Sequence, residues 1–588
     1  MAALTDLEKK QIAQAEELFF SGPNKEGFAK DLFFGKFRAQ SIMPFPSLAS
    51  MPEDFQQRGN EAVAKVKEFC EANIDATKID RDAKIPDSVI KGLGELGVLG
   101  MTVGAEYGGM GMSQYNYCRV MEIIGGHCAS TGVFVNAHHS IGLRALELFG
   151  TQEQKKRWMK PLTTGDEIAA FALTEPEAGS DAANVQTQAV PDADGKGFTL
   201  NGQKRWITNG GIADVLTVMA RTPDPATPEG KITAFLVTPD MPGFKVVEQR
   251  MEKCGIRGTA TGRLEFKDMY VPRENILGPI GKGLKVALTV LDFGRTTFGA
   301  CCTGTAKYCI EKMVERATSR QQFGKNLADF ELVQGKIAEA AADTYAMESA
   351  TYHTAALIDS GADDYMVETA MLKVFASDQL WRIVNDTLQI WGGAGFFTDQ
   401  PFERLMRDAR LNLIGEGAND VLRCFIAMMG VRGVAMELKG IYDGVKGLNP
   451  KSLFNAGKII KRAPTISCPH DLLRPHARDL GKQIGRFAQA VQGACIKHQE
   501  GILNRQFTQA RLGDIATELF MASCVFGRIV RVLEDDIPDS QQQQELQTGL
   551  LYLKLAKQRN QTRLRLLSDN ADRSMNDVAG YWLSNPEG

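Results

Sequence analysis

The chain has no CxxC pair and no HExxH run, and its seven histidines and eleven cysteines are scattered. The nearest approach to a ligand cluster, Cys468-Pro469-His470, stands alone, so no metal centre is expected. An odd number of dispersed cysteines argues against a disulfide framework and for buried free thiols in a reducing compartment. Charge imbalance is missing too: a formal charge of -3 over 588 residues gives no basic field for nucleic acid. No apolar run approaches the length of a membrane span. The first ten residues are acidic and polar, with neither an apolar h-region nor an Arg-rich transit pattern. Two compartments stay open: the cytoplasm, including the inner-membrane surface, for a bacterial chain, or the mitochondrial matrix or inner membrane for a eukaryotic one whose transit peptide has been removed.

What is present is an ordinary globular composition, 44% hydrophobic and 24% charged. The chain is too long for one core and should divide into about three or four packed units. Residues 1–53 form a Phe-rich, basic arm, in which Leu18, Phe19, Phe20, Phe28, Leu32, Phe33, Phe34 and Phe37 alternate with Lys25, Lys30, Lys36 and Arg38. Such a segment suits a membrane surface, but Gly22, Pro23 and Gly27 break its period, which favours an arm packed on its own protein. Over 54–167 apolar residues recur at helical steps, as in Ala62, Val63, Val66, Phe69 and in Val89, Leu93, Leu96. The period shortens over 168–281. Stretches at 168–173, 197–200, 215–220, 232–237 and 263–266 are rich in β-formers, with turn signals at Asp194-Gly195, Asn201-Gly202, Asn209-Gly210 and Pro242-Gly243. Closely spaced strands without intervening helices predict an antiparallel sandwich or barrel. Helical periodicity returns over 282–432, with long patterns at 284–320, 332–359 and 365–391 that suggest a bundle. Amphipathic stretches at 472–500 and 512–534 make 433–588 a helical C-terminal extension. The expected fold is mainly α with a central β domain.

Glu416 stands between Gly415 and Gly417 at the end of Leu411-Asn412-Leu413-Ile414. Flanking glycines let the backbone turn tightly beside a ligand, and a carboxyl group presented into a dry cleft has the raised pKa that suits a general base. Alone, such a tripeptide is more often a surface turn. Phe171-Ala172-Leu173-Thr174-Glu175-Pro176-Glu177-Ala178-Gly179-Ser180-Asp181 ends a strand and offers hydroxyls and small-residue amides to a phosphate. Gln389-Ile390-Trp391-Gly392-Gly393-Ala394-Gly395-Phe396 follows a helical pattern and lacks dinucleotide-fold spacing. Trp206-Ile207-Thr208-Asn209-Gly210 sets a flat aromatic and a hydroxyl at a strand end, suited to covering a planar ring; the plainer alternative for Trp206 is a core residue at the sheet edge.

These segments, with Arg320-Gln321-Gln322-Phe323-Gly324 and with 257–278, which holds Val271-Pro272 and Asn275-Ile276-Leu277-Gly278, resemble the motifs of flavin-dependent acyl-CoA dehydrogenases. Order and spacing agree over about residues 60 to 430. The extension, together with Leu200-Asn201-Gly202 and 206–213, most resembles the very-long-chain branch. The resemblance implies the acyl-CoA dehydrogenase fold: an N-terminal helical domain, a middle β domain and a helical bundle, here followed by the extra domain. It implies non-covalent FAD and α,β-desaturation of acyl-CoA to trans-2-enoyl-CoA in fatty acid β-oxidation, with electrons passed to an electron-transferring flavoprotein. Glu416 then takes the α proton, flavin N5 accepts the β hydride, and the Glu416 main-chain amide polarises the thioester. Some relatives carry the base just before an arginine on the helix after the β domain. That pair here is Gly294-Arg295, and Asp292, two residues earlier, faces another side of the helix, which favours Glu416.

By the same resemblance, Thr174 and Thr208 bond the flavin ring beside Trp206, and Phe171 and Leu173 line it. Gly179 and Ser180 approach the pyrophosphate, Ser180 also on the substrate side. Arg320, Gln322 and Phe323, with Gln389, Gly392 and Gly393, hold the pyrophosphate and adenosine across a subunit interface, which implies a dimer at least. Ala418 stands where the family has a threonine that bonds FAD, and Gly415 where it has an aromatic, so a weaker flavin hold and a more mobile loop are expected. Asp292, Arg295 and Gly417 fall on the substrate side, and Arg295 reads equally well as a helix salt-bridge partner. Gly132 replaces the large polar residue that closes the acyl tunnel in medium-chain relatives, whereas Asn136 replaces a small residue of very-long-chain relatives; a long-chain acyl-CoA is expected. The segment 439–462, where Lys446, Lys451, Lys458, Lys461 and Arg462 flank Leu453-Phe454 and Ile459-Ile460, matches in position one that associates relatives with membranes, or is a linker. Two alternatives stay open: an acyl-CoA oxidase using dioxygen, and a weakly catalytic member retained as an assembly or scaffold protein.

Overall fold

The computed structural model describes residues 27–446 and 463–585; Leu18, Phe19, Phe20 and the basic stretch 447–462 lie outside them. The described chain divides into two units, one spanning 48–418, the other 27–47 with 419–446 and 463–585. Each is taken by itself.

The larger unit opens with α1 (Glu53–Asn73), α2 (Ala76–Asp82), α3 (Asp87–Glu95), α4 (Gln114–His127), α5 (Ala129–Val135), α6 (Arg144–Phe149) and α7 (Gln152–Thr164). The helical spacing marks the buried faces: Ala62 and Val66 of α1 and Val89 and Leu93 of α3 join one apolar cluster with Tyr117, Met121 and Ile124 of α4. Two helix starts are capped by a side-chain oxygen in the expected way, Ser113 capping α4 and Thr151 forming a capping box with Gln154 on α7. Between α5 and α6 the backbone widens into a π-turn, Asn136–Leu143, buried throughout. Such bulges re-aim side chains and gather at functional sites.

The sheet comprises β1 (Ala169–Ala172), β2 (Gln188–Pro191), β3 (Gly197–Ile207), β4 (Val215–Asp224), β5 (Thr227–Val237), β6 (Phe244–Glu248), β7 (Gly262–Pro272) and β8 (Ile276–Leu277). Its order is β6-β7-β3-β2-β4-β5-β8, with β1 on β4. Most pairs are antiparallel, as the short spacing predicts. β1 instead runs parallel to β4, Ala169 opposite Val215, because a long connection rather than a hairpin leads from it. Asn201-Gly202 is not a turn: it lies inside β3, where the register against β7 shifts between Leu200 and Gly202. This glycine admits a bulge, and a Cβ there would come within 2.5 Å of Thr187 Oγ1. A second shift, between Lys204 and Ile207, turns Trp206 out of the ladder at φ 60°. β2 and β6 bury too few side chains for alternation to reveal them.

The bundle is built from α8 (Gly283–Ser319), α9 (Glu331–Asp359) and α10 (Met366–Trp391), close to the predicted spans, followed by α11 (Gly393–Phe396) and α12 (Phe402–Leu411). The hairpin β9 (Gln321–Gln322) and β10 (Lys325–Asn326) links α8 to α9. α4 meets α8 backbone to backbone, since a Cβ on Gly125 would lie 2.5 Å from Cys301 Cα.

The smaller unit contains a short helix, Phe28–Phe33, then α13 (Asn419–Lys446), α14 (Arg474–His498), α15 (Gln506–Val532), α16 (Asp539–Arg565) and α17 (Asp572–Ser584). The described part of the arm packs on protein: Phe33 meets Phe487 edge-on at 4.9 Å and Phe28 lies 6.4 Å from Phe520. Glu518, buried on α15, accepts hydrogen bonds from Tyr552, Arg559 and Arg563 at 2.9, 3.2 and 2.8 Å. No described helix is long and apolar enough to cross a membrane.

Candidate active site

The glycine-flanked glutamate occupies a conformation most side chains avoid. Glu416 has φ 59° and Gly417 φ 98°, and the left-handed region disfavours an L-residue by about 1–2 kcal/mol. The surroundings hold it there. The turn after α12 is closed by the amides of Ile414 and Gly415 donating to Leu411 O at 2.8 and 2.9 Å. Arg295 Nε donates to the Glu416 carbonyl at 3.2 Å, and Lys373 Nζ to the Gly417 carbonyl at 2.6 Å. The loop that glycine 415 was expected to loosen is thus tied from two helices, α8 and α10.

The carboxyl group points inward. Its Oε1 accepts from Asn136 Nδ2 at 3.3 Å. Its Oε2 is buried without a hydrogen-bond partner among the described residues. A Cβ on Gly294 would lie 3.0 Å from that oxygen, so the glycine before Arg295 leaves the space the carboxylate fills. Burial raises Glu416 to about 7, against the opposing charges of Arg295 and Lys373. Burial in turn lowers Lys373 to about 7, with Glu416 opposing the fall and Arg295 adding to it.

Asp292 is buried, pairs with Arg295 at 3.2 Å and accepts from Thr369 at 2.9 Å. Burial raises it to about 6. Arg295 is thus a salt-bridge partner on its own helix and also a tie to the Glu416 loop. Asn136, Gly132, Val133, Phe298, Cys301 and Cys302 line one small cavity. A Cβ on Gly132 would stand 3.3 Å from Cys301 Sγ.

The predicted flavin residues fall into two groups. In the first, Arg205 N donates to Thr174 O at 3.0 Å, bringing the end of β1 beside the β3 bulge. Buried Lys204 clamps the same loop, donating to Leu173 O at 3.0 Å and to Glu175 Oε1 at 2.6 Å. Phe171, Leu173, Thr174 and Thr208 are half-buried, Gly179 and Ser180 exposed, and Trp206 is 51% exposed with the Arg205 guanidinium 4.9 Å from its ring. A half-exposed indole, two hydroxyls and exposed small residues fit a flat, acceptor-rich ring with a phosphate tail. In the second group, Arg320, Gln322 and Phe323 are exposed at the β9–β10 hairpin, and Gln389, Gly392 and Gly393 at the end of α10. Trp391 joins these two ends, donating to Lys312 O at 2.9 Å beneath the Arg316 guanidinium. Cβ atoms on Gly392 and Gly393 would meet nothing within 4 Å. Ala418 is half-buried and brings only a methyl group.

Three contributors are absent from the sequence reading: Lys373, Thr297, whose hydroxyl donates to Asn136 Oδ1, and the pairing of Glu175 with Lys204. Lys373 alone left a signal, a single charge inside Ala370-Met371-Leu372-Lys373-Val374-Phe375-Ala376.

Family models for the acyl-CoA dehydrogenase N-terminal, middle and C-terminal domains match residues 57–166, 170–269 and 281–430. A model of the ACAD9/ACADV C-terminal domain matches 471–585. The mitochondrial very long-chain specific acyl-CoA dehydrogenase of Homo sapiens is 37% identical over 564 residues, 93% of this chain and 85% of that one. The chain belongs to the acyl-CoA dehydrogenase family. The probable acyl-CoA dehydrogenase FadE10 of Mycobacterium bovis is 35% identical over 557 residues, covering 89% of this chain and 84% of its own. Among solved structures, an acyl-CoA dehydrogenase complexed with FAD from Bacillus anthracis superposes with TM-score 0.79 at 27% identity, over 95% of this chain and 94% of that one. This acyl-CoA dehydrogenase is FAD-dependent and serves fatty acid β-oxidation. Its relatives include a mitochondrial and a bacterial protein, so neither compartment is singled out.

Proposed function

We propose that Glu416 is the base that removes the α proton of a long-chain acyl-CoA. The observation that carries this is the buried carboxyl group with one oxygen held by Asn136 and the other facing the bare backbone of Gly294. A pKa near 7 suits a group that accepts a proton from carbon and later releases it. Arg295 and Lys373 fix the loop through its carbonyls, which supports the Glu416 main-chain N–H as the donor to the thioester oxygen. Bound FAD supplies the acceptor for the β hydride. Thr174, Thr208 and Trp206 would hold its ring, Gly179 and Ser180 the near side of its pyrophosphate, and Arg320, Gln322, Phe323, Gln389, Gly392 and Gly393 its far end from a neighbouring copy. Exposure of Phe323 at 93% and Phe396 at 71% supports that dimer.

The likeness to the human very long-chain specific protein supports a long acyl chain, as does glycine rather than a bulky side chain at position 132. We assign an electron-transferring flavoprotein as the acceptor, and peripheral membrane contact to the basic segment 439–462, which vesicle flotation with and without 447–462 tests. The deciding experiment for the base is anaerobic addition of palmitoyl-CoA to the purified flavoprotein. Wild type bleaches; Glu416→Gln keeps flavin and binds acyl-CoA but stays yellow. Normal bleaching by that variant refutes the assignment.

A further inference from the structure

We infer that Asn136 is a positioning residue for the base: its amide holds one oxygen of Glu416 so that the other is left for the proton. The inference rests on Glu416 as base. Asn136 is 4% exposed and stands at the first position of the π-turn, which aims it inward from α5. Its Nδ2 lies 3.3 Å from Glu416 Oε1 and 3.4 Å from the carbonyl oxygen of Gly294. The carbonyl only accepts, as does the carboxylate, so the nitrogen must face them. On its other side Oδ1 accepts from the Thr297 hydroxyl. Thr297 sits 3.1 Å from Ser140 Oγ, which sits 3.2 Å from Tyr117 Oη, a buried chain of hydroxyls behind the amide. A single helix, α8, thus provides the gap at Gly294 and, one turn on, the clamp at Thr297.

The charged groups around Glu416 are Arg295 from α8, itself paired with Asp292, and Lys373 from α10, beside the thiol of Cys302. Asn136 approaches from the third side as an uncharged donor. Removing it weakens the hold on the charged carboxylate without altering any charge.

The test uses the holoenzyme. Flavin reduction by palmitoyl-CoA is followed against pH in wild type, Asn136→Ala and Thr297→Val, beside an infrared difference titration of the carboxyl band that Glu416→Gln removes. Loss of the amide should raise the base's apparent pKa by about one pH unit, slowing reduction roughly tenfold on the acid side and little on the alkaline plateau. Thr297→Val, which frees the amide to turn, should shift it the same way by less. If Asn136→Ala does not fold, Thr297→Val decides alone. An unchanged or lowered pKa overturns the inference, including the case where only chain-length preference changes and Asn136 is merely a tunnel wall. Bleaching by Glu416→Gln would instead overturn the base assignment, whatever Asn136 does.

Discussion

Moving the carboxylate across its cavity probes the geometry most directly. A Cβ on Gly294 would lie 3.0 Å from Glu416 Oε2 and 3.3 Å from Cδ, so a side chain grown from α8 enters the space the Glu416 carboxyl group now fills. Gly294→Glu alone forces two carboxyl groups into one dry site, where like charges cannot both ionise, and should inactivate the enzyme. Glu416→Gly alone removes the base and should slow flavin reduction about 10²- to 10⁴-fold. In the double variant both backbone changes are favourable. Taking a side chain away from φ 59° relieves about 1–2 kcal/mol, and a good helix former inside α8 gains about 1 kcal/mol over glycine. The double variant should therefore fold, hold FAD and reduce it at least about tenfold faster than Glu416→Gly. Stopped-flow anaerobic reduction by palmitoyl-CoA measures this, with flavin content and near-ultraviolet dichroism as controls. A double variant that is folded, fully flavinated and no faster than Glu416→Gly refutes the shared space as the reaction site.

Other consequences concern the same pocket. Glu416 is raised from an ordinary 4.5 to about 7, so the folded state holds its proton more tightly between those values and stability falls as pH rises through them. Glu416→Gln should be more stable than wild type by about 3 kcal/mol at pH 8, with the difference gone below about pH 4.5; urea unfolding at the two pH values checks it. Lys373→Met removes a cation that stabilises the charged base and a donor to Gly417, so the acid limb of flavin reduction should move up by about one pH unit; an unmoved limb removes Lys373 from the site. Gly132→Val places branches against Cys301 Sγ, 3.3 Å from the new Cβ. Turnover of palmitoyl-CoA should fall at least about tenfold while butyryl-CoA is spared, and an equal loss on both chain lengths would mean that the cavity is not the acyl tunnel.

Helices and most strands were legible because their burial follows a period: α8, α9 and α10 begin and end within about two residues of their apolar patterns. The failures share a cause. Asn201-Gly202 reads as a hairpin by every local rule, yet β3 continues through it, since pairing with β7 outweighs turn preference and uses the glycine as a bulge. The parallel placement of β1 depends on which strand waits beside it, and no neighbouring residue encodes that. For the site, Glu416 announced itself through its glycines. Asn136 was read as a tunnel residue and not as a partner of Glu416, because the contact spans 280 positions and passes through a π-turn that no spacing predicts.

The site works against the stability of the fold that holds it. Glu416 carries an unfavourable φ and a carboxyl group buried with one oxygen unbonded among the described residues, and burial lowers the pKa of Lys373 to about 7. None of these features serves packing, and each alone would count against the fold. Together they are mutually compensating: the lysine and Arg295 tie the strained loop through its carbonyls and partly offset the charge of the carboxylate. Removing either the acid or the lysine should therefore disturb the other more than its own surroundings. A double-mutant cycle between Glu416→Gln and Lys373→Met should show coupling of about 1 kcal/mol or more, where independent residues would be additive to within about 0.5.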